Sequence, residues 1–396
     1  MELGLVGKPN VGKSTFFAAA TMAPAAIASY PFTTIEPNRG IAYVRTPCPH
    51  VELGKSCSPS SAPCRTGTRF VPVELLDVAG LVPRAHEGRG LGNKFLDELR
   101  QASAFIHVVD ASGGTDFEGN IVKPGTHDPL EDVRFLEEEI AHWIRGILER
   151  NWEKEARRAE LDEVPAERVV HERLAGLGLT EGQVHVAVRD AYMDARLTRW
   201  TREDMLRLAT ALLRRGKPMM VTANNADVTP PELLARLAAL GDRRVVSVAS
   251  EMELALRRAA KAGLVEYEPG AGSFRIVDPG RLSAAQLSGL RRIEEYLAAH
   301  GDTGVQRCVE DAAWKLLNLI VVFPVEDETH WTDKKGNVLP DAFFVPQGAT
   351  ARDLAYRVHT ALGKNFIRAI NGRTKMVVGQ DYVVGNGDVL KIVARA

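Results

Sequence analysis

A mostly parallel α/β sheet domain, interrupted by helical insertions and followed by a small β-rich unit, is the architecture this sequence predicts. Three observations carry it. Short, near-continuously apolar runs recur as far as Val248, as strands covered on both faces require. Helical segments separate those runs, which is the alternation of a parallel sheet. Beyond Leu319 the texture changes to brief strand-like runs around one helix. At 396 residues the chain is also too long for one compact core, which suggests roughly two or three domains.

The first element is Leu3-Gly4-Leu5-Val6, an apolar strand that enters a glycine-containing turn and then an Ala/Phe-rich helix. Further strands are expected at Phe70 to Leu76, Phe105 to Val109, Pro218 to Thr222 and Val245 to Val248. The sheet domain therefore spans residues 1–117 and resumes over 215–252. Between them, 118–214 reads as a helical insertion. It opens at Asp128-Pro129-Leu130-Glu131, an N-cap, a Pro at the first helical position and an acidic third position. Val133, Leu136, Ile140, Trp143, Ile144, Ile147 and Leu148 then keep helical spacing. A second helical block is expected over 253–318. Over 319–396, strands at Ile320 to Val325, Ala342 to Val345, Met376 to Val378 and Val389 to Val393, with a helix near Arg352 to Leu362, follow the order of a β-grasp unit.

Composition excludes several functions. Fifty Lys+Arg against 51 Asp+Glu rule out a polycation wrapped on nucleic acid, though not a local basic patch. The apolar run Leu316 to Pro324 is far shorter than the roughly 20 residues that span a bilayer. No basic segment followed by an apolar core opens the sequence, and four cysteines make no disulfide scaffold. A cytoplasmic monomer without membrane contact is expected.

Gly7, Lys8, Pro9, Asn10, Val11, Gly12, Lys13 and Ser14 fit G-x-x-x-x-G-K-[ST], the P-loop of nucleoside-triphosphate hydrolases, between a strand and a helix. The glycines let backbone N–H groups close around phosphates, and the helix N-terminus adds a favourable dipole. Lys13 would reach the β- and γ-phosphates, Ser14 would offer its hydroxyl to Mg²⁺, and Thr15 continues the phosphate-facing turn. The run Val73 to Gly80 ends an apolar strand with Asp77 and then Gly80. An acid there can hold Mg²⁺ through water, and a glycine N–H can meet a γ-phosphate.

With these motifs in place, the sequence resembles the Obg-related translation-factor GTPases, in particular the YchF-like subgroup typical of archaea, whose members end in a TGS domain of β-grasp fold. Besides the P-loop, the resemblance rests on Tyr30-Pro31-Phe32-Thr33-Thr34-Ile35-Glu36-Pro37-Asn38, Asp77-Val78-Ala79-Gly80-Leu81-Val82 and Gly88-Arg89-Gly90-Leu91-Gly92-Asn93-Lys94-Phe95-Leu96. It implies that Thr34, with Thr33 as its alternative, closes on Mg²⁺ and the γ-phosphate. Lys13, Thr34 and Gly80 would be the catalytic residues, and Ser14, Thr34 and Asp77 the metal ligands. Leu81 stands where many GTPases carry a glutamine that orients water, and a leucine forms no hydrogen bond. Slow turnover follows. His86 and His127 are candidates for that role, although a structural or solvated histidine is the plainer reading of each. Asn10 is another route, because in related GTPases such an Asn helps to bind K⁺. A turn-stabilising Asn explains it equally well.

The family reads guanine through N-K-x-D, matched here by Asn224-Asn225-Ala226-Asp227. Asp227 can accept from guanine N1–H and its 2-amino group. Adenine lacks both donors, and such polar readout can discriminate by ~10⁴-fold or more. Asn224 would tie this loop to the P-loop and to guanine N7. Asn225 departs from the family's lysine, whose stem covers the base, so weakened affinity is expected. A second departure is Ala249-Ser250-Glu251, where the Ser250 N–H could still meet guanine O6. Relatives with Glu in place of the Asp hydrolyse ATP, and an ATPase is the alternative. A nucleotide-gated binding module with incidental hydrolysis is the other.

Cys48, His50, Cys57 and Cys64 fall in one loop, and three Cys with one His could ligate Zn²⁺. The spacing lacks paired C-x-x-C knuckles, so ordinary thiols in a Ser/Pro-rich loop are expected. Lys334, Lys335, Lys364, Arg368, Arg373 and Lys375 make the TGS-like region basic, and phosphate binding suits them. The resemblance implies RNA or ribosome contact there, although a solvated surface explains the same charges. The sequence-level reading is thus a Mg²⁺-dependent GTPase binding GTP and GDP, a nucleotide-switched translation or ribosome-associated factor, with K⁺ as a further cofactor to test.

Overall fold

The computed structural model describes residues 1–22, 38–78, 100–241 and 243–395. The chain divides into two compact units, one formed by Glu2–Ala19 with Leu75–Cys308 and the other by Met1, Ala20–Glu74 and Val309–Ala396.

The first unit is built on a parallel run of strands in the order Glu2–Val6, Ala104–Asp110, Met219–Asn224 and Val245–Ser247. Ala104–Asp110 is buried at every position, which is why it reads as unbroken apolar sequence around His107. Helix Pro129–Glu149 begins as its sequence dictates, with the Asp128 carboxylate accepting from Leu130 N–H at 3.1 Å and Pro129 in the first turn. Its Leu136, Ile140, Ile144 and Leu148 pack with Phe105, Leu208 and Leu212 in one apolar cluster. Capping boxes at Thr180/Gln183 and Thr201/Asp204 start the helices Glu181–Asp190 and Arg202–Gly216. Stacked Trp152 and Trp200 fill the same layer. The block after Glu253 is not wholly helical: the pair Val265–Glu266 and Arg275–Ile276 forms a short hairpin before helix Ala284–His300.

In the second unit, a five-stranded sheet has the order Phe343–Pro346, Leu319–Val325, Val389–Ala394, Phe366–Asn371, Val377–Val378. Its central pair, Leu319–Val325 and Val389–Ala394, is parallel, and Leu354 and Ala355 of helix Ala351–Val358 are buried. This is the expected β-grasp, with two differences. The helix stops at His359, which is extended, and a second short helix, Thr360–Lys364, follows. Phe366–Asn371 is a strand that the sequence reading missed, because its Arg368 and Asn371 interrupt the apolar pattern. The same unit holds Arg39–Pro47, Cys64–Arg65 and the start of Thr68–Asp77.

Candidate functional site

The phosphate-type loop Gly7–Gly12 joins strand Glu2–Val6 to helix Lys13–Thr21. Gly12 lies at φ +87°, and a Cβ there would stand 2.1 Å from Asn224 Nδ2. Only glycine satisfies both the backbone and the close approach. Asn224, buried at the end of Met219–Asn224, donates from Nδ2 to Val11 O at 2.9 Å and accepts at Oδ1 from Ser250 N–H at 3.3 Å. One side chain thus links three loops.

The lysines of the loop differ in their surroundings. The Lys8 ammonium is buried and lies 2.8 Å from Asp132, with Thr115 O at 3.0 Å. His127 also meets Asp132, with Nε2 2.8 Å from Oδ1. Burial raises the Asp132 carboxyl's pKa, and Lys8 and His127 oppose the rise. The side chain of Lys8 is therefore committed to the protein, and any contact it makes to phosphate is through its backbone. His127, a candidate for orienting water, is held by Asp132. Lys13, by contrast, pairs with Asp77 at the edge of the loop, where both side chains keep partial exposure. Ser14 is exposed at the helix start, with Thr15 half-buried beside it. Asn10, in the left-handed region at φ +62°, donates to Gly119 O at 3.0 Å, and Pro9 O borders the same glycine.

Asn225, also left-handed at φ +61°, turns its amide to Asp110 Oδ1 at 2.8 Å. It fastens the loop to the end of Ala104–Asp110 and extends no stem over a base. Asp227 is half-buried two residues on, and Ala226 N–H donates to Val248 O at 3.0 Å. Ala249 N–H is taken by Thr303 O at 2.9 Å, so of the two neighbouring amides only that of Ser250 has a long, weak partner. Glu251 is exposed in the first turn of helix Ser250–Lys261. Behind this corner Glu253 is fully buried and is met by Arg257 at 2.6 Å, Tyr267 at 2.7 Å and Thr303. Thr33, Thr34, Gly80, Leu81 and His86, with the motif 88–96, lie outside the described residues.

Sequence reasoning missed Asp110, Asp132 and Glu253. The signal for Asp110 was available, since an acid ends an apolar strand beside a loop. Nothing local marks the other two.

Residues 2–147 match the 50S ribosome-binding GTPase family, 222–327 the G4 motif-containing domain of the YGR210-like Obg-like GTPases, and 329–394 the TGS domain. A GTP-binding protein of Methanocaldococcus jannaschii is 51% identical over 396 residues, all of this chain and 99% of that one. This chain belongs to the YchF-like, Obg-related GTPase family. The ribosome-binding ATPase YchF of Haemophilus influenzae is 30% identical over 98% of both chains. A GTP-binding protein of Pyrococcus horikoshii is structurally similar, with a TM-score of 0.80, 41% identity and complete coverage of both chains. As in other family members, the fold is a P-loop GTPase domain with a TGS domain. Among the described residues no helix is long and apolar enough to cross a membrane.

Proposed function

We propose that this protein is a Mg²⁺-dependent GTPase of slow turnover, acting as a nucleotide-switched factor at the ribosome. The observation that carries the reading is the Asn224 bridge: the loop with phosphate-binding form and the loop bearing Asp227 are one hydrogen-bonded unit. Backbone N–H groups between Gly7 and Thr15, Pro9 excepted, and the Lys13 ammonium would hold the phosphates. Ser14 and Asp77, with Thr34, suit Mg²⁺ as hard oxygen donors. The Lys13–Asp77 ion pair supports this, since each is the other's counter-ion and a phosphate–metal complex offers both a replacement. Bound Mg²⁺ would supply neutralisation of the charge developing on the phosphoryl oxygens. Gly80 would direct its N–H at the γ-phosphate, and Leu81 leaves the attacking water without a side-chain partner at that position.

Asp227 would read guanine, helped by Ser250 N–H, whose 3.3 Å bond to Asn224 is weak enough to exchange for O6. Because Asn225 is turned to Asp110, one face of the base stays uncovered and affinity is modest. The Asn10 amide N–H is occupied by Gly119, which leaves its carbonyl oxygen as the atom for K⁺. Ribosome contact is supported by the names of bacterial relatives and by the TGS match. Among the described residues Lys364 and Arg368 are exposed and in no ion pair, whereas Arg373 is bound to Glu52 at 2.7 Å and Lys335 lies in the field of Asp333.

Titration of the purified chain with GTP, GDP and ATP, with and without K⁺, tests the reading. GTP should bind more tightly than ATP by at least about 10²-fold, and Lys13→Ala should remove most triphosphate affinity. A preference for ATP favours the second reading, an ATPase like the bacterial relatives, and equal capture by the Lys13→Ala variant overturns both.

A further inference from the structure

The loop expected to carry ordinary thiols gathers four side chains that could ligate a metal. The sulfur atoms of Cys48, Cys57 and Cys64 and a ring nitrogen of His50 lie within 4.8 Å of one another, and no disulfide joins them. We propose that these four side chains form a structural Zn²⁺ site.

The scaffold brings the ligands together from three places. Cys48 directly follows strand Arg39–Pro47, and Pro49 opens the single helical turn His50–Leu53. Cys64 starts a hairpin whose two turn residues, Thr66 and Gly67, have φ of +45° and +85°, the left-handed pair that a tight two-residue turn requires. Gly67 O accepts from Cys48 N–H at 2.7 Å, which closes the loop at its ends. Its middle is held by Ser58 N–H on Val338 O and Ser60 N–H on Pro340 O, each 2.9 Å. The Cys64 Sγ to His50 Nδ1 distance is 3.6 Å. A tetrahedron with Zn–S about 2.3 Å and Zn–N about 2.0–2.1 Å has an S···N edge of about 3.6 Å.

Charge gives a second, independent argument. The hairpin sets Arg69 opposite Cys64, and Arg69 is fully buried. Its guanidinium donates to Ala62 O at 3.0 Å, Leu339 O at 2.9 Å and Cys48 Sγ at 3.3 Å, over the ring of Phe323. No carboxylate pairs with it among the described residues. A buried cation is costly without an anion. Three thiolates and a neutral imidazole on Zn²⁺ carry one net negative charge, which matches Arg69. The Arg69–Cys48 bond is then the outer contact that orients a ligand. Four protein ligands leave no open position, so the site is structural.

The test uses the full chain, purified under reducing conditions without added metal. Elemental analysis should find one zinc per chain. Co²⁺ exchanged into it should give thiolate-to-cobalt charge transfer and tetrahedral d–d bands. His50→Ala and Cys64→Ala should each lose the metal, while Cys308→Ala keeps it. If the variants fail to fold, chelation of the wild-type chain decides, and its melting temperature should fall as zinc leaves. A metal-free chain that takes up no Co²⁺, an octahedral cobalt spectrum, or an intact mass below that of the reduced chain by the two hydrogens lost when two thiols join as a disulfide overturns the proposal.

Discussion

Lys8 in one unit and Arg69 in the other are both buried cations, and the two are neutralised in different ways. Lys8 is enclosed with the Asp132 carboxylate at 2.8 Å, and His127 meets the same carboxylate. Arg69 is enclosed with two carbonyls and a thiol. The ammonium has a formal counter-ion among the side chains, and among the described residues the guanidinium has none. A buried charge is tolerated only with compensation, so the second case directs attention to the sulfur atoms beside it, as the first directs attention to an acid no motif mentions.

The largest effect should come from breaking the complete pair. Lys8→Met leaves Asp132 buried with only His127 and should cost about 3–5 kcal/mol in urea unfolding. Adding Asp132→Leu should restore most of it, and a single-variant loss under about 1 kcal/mol would show that the pair is not the compensation. Arg69→Met tests the other side: metal affinity should fall by about 10–100-fold, whereas Lys8→Met should leave metal content unchanged. If both lose metal equally, the contrast is wrong.

Gly12→Ala asks whether the loop depends on Lys8's anchor alone. Its left-handed backbone and the 2.1 Å approach to Asn224 predict a cost of about 1–3 kcal/mol, with weaker GTP capture in the titration. An alanine variant of full affinity would remove the Asn224 bridge from the reading.

Near neutral pH the smallest effect is the titration of His107, which grows only as the solution is acidified. Burial, with Arg243 and Lys8 adding to it, pushes the His107 pKa down to about 3. The unfolded chain takes up that proton near the ordinary value of about 6.5. Between these values the unfolded state binds more protons, so stability is lost as pH falls, at up to about 1.4 kcal/mol per pH unit. Unfolding measured at several pH values should be less steep for His107→Gln. Identical slopes would show that His107 titrates alike in both states.

What was legible follows from distance along the chain. The P-loop is a run of consecutive residues, and Asn224 with Asp227 is another, so each announces itself. The expected β-grasp strands were visible by alternation except Phe366–Asn371, where polar Arg368 and Asn371 mask it. That the Lys8 side chain is already taken was not legible, because its partner Asp132 is 124 positions away and only the fold joins them. Asn225 looked like a mere gap in a motif, since its bond to Asp110 spans 115 positions. The thiol loop looked ordinary because knuckle spacing was absent, whereas a hairpin turn and a one-turn helix do the gathering instead.

The Arg69 bond to Leu339 crosses 270 positions, and this has a consequence for biosynthesis. While the chain emerges amino-terminus first, residues 39–74 leave the exit tunnel long before the carbonyl that caps Arg69 exists. That guanidinium stays hydrated until Leu339 has emerged, so this unit closes only after that point, by a long-range contact of the kind that folds slowly.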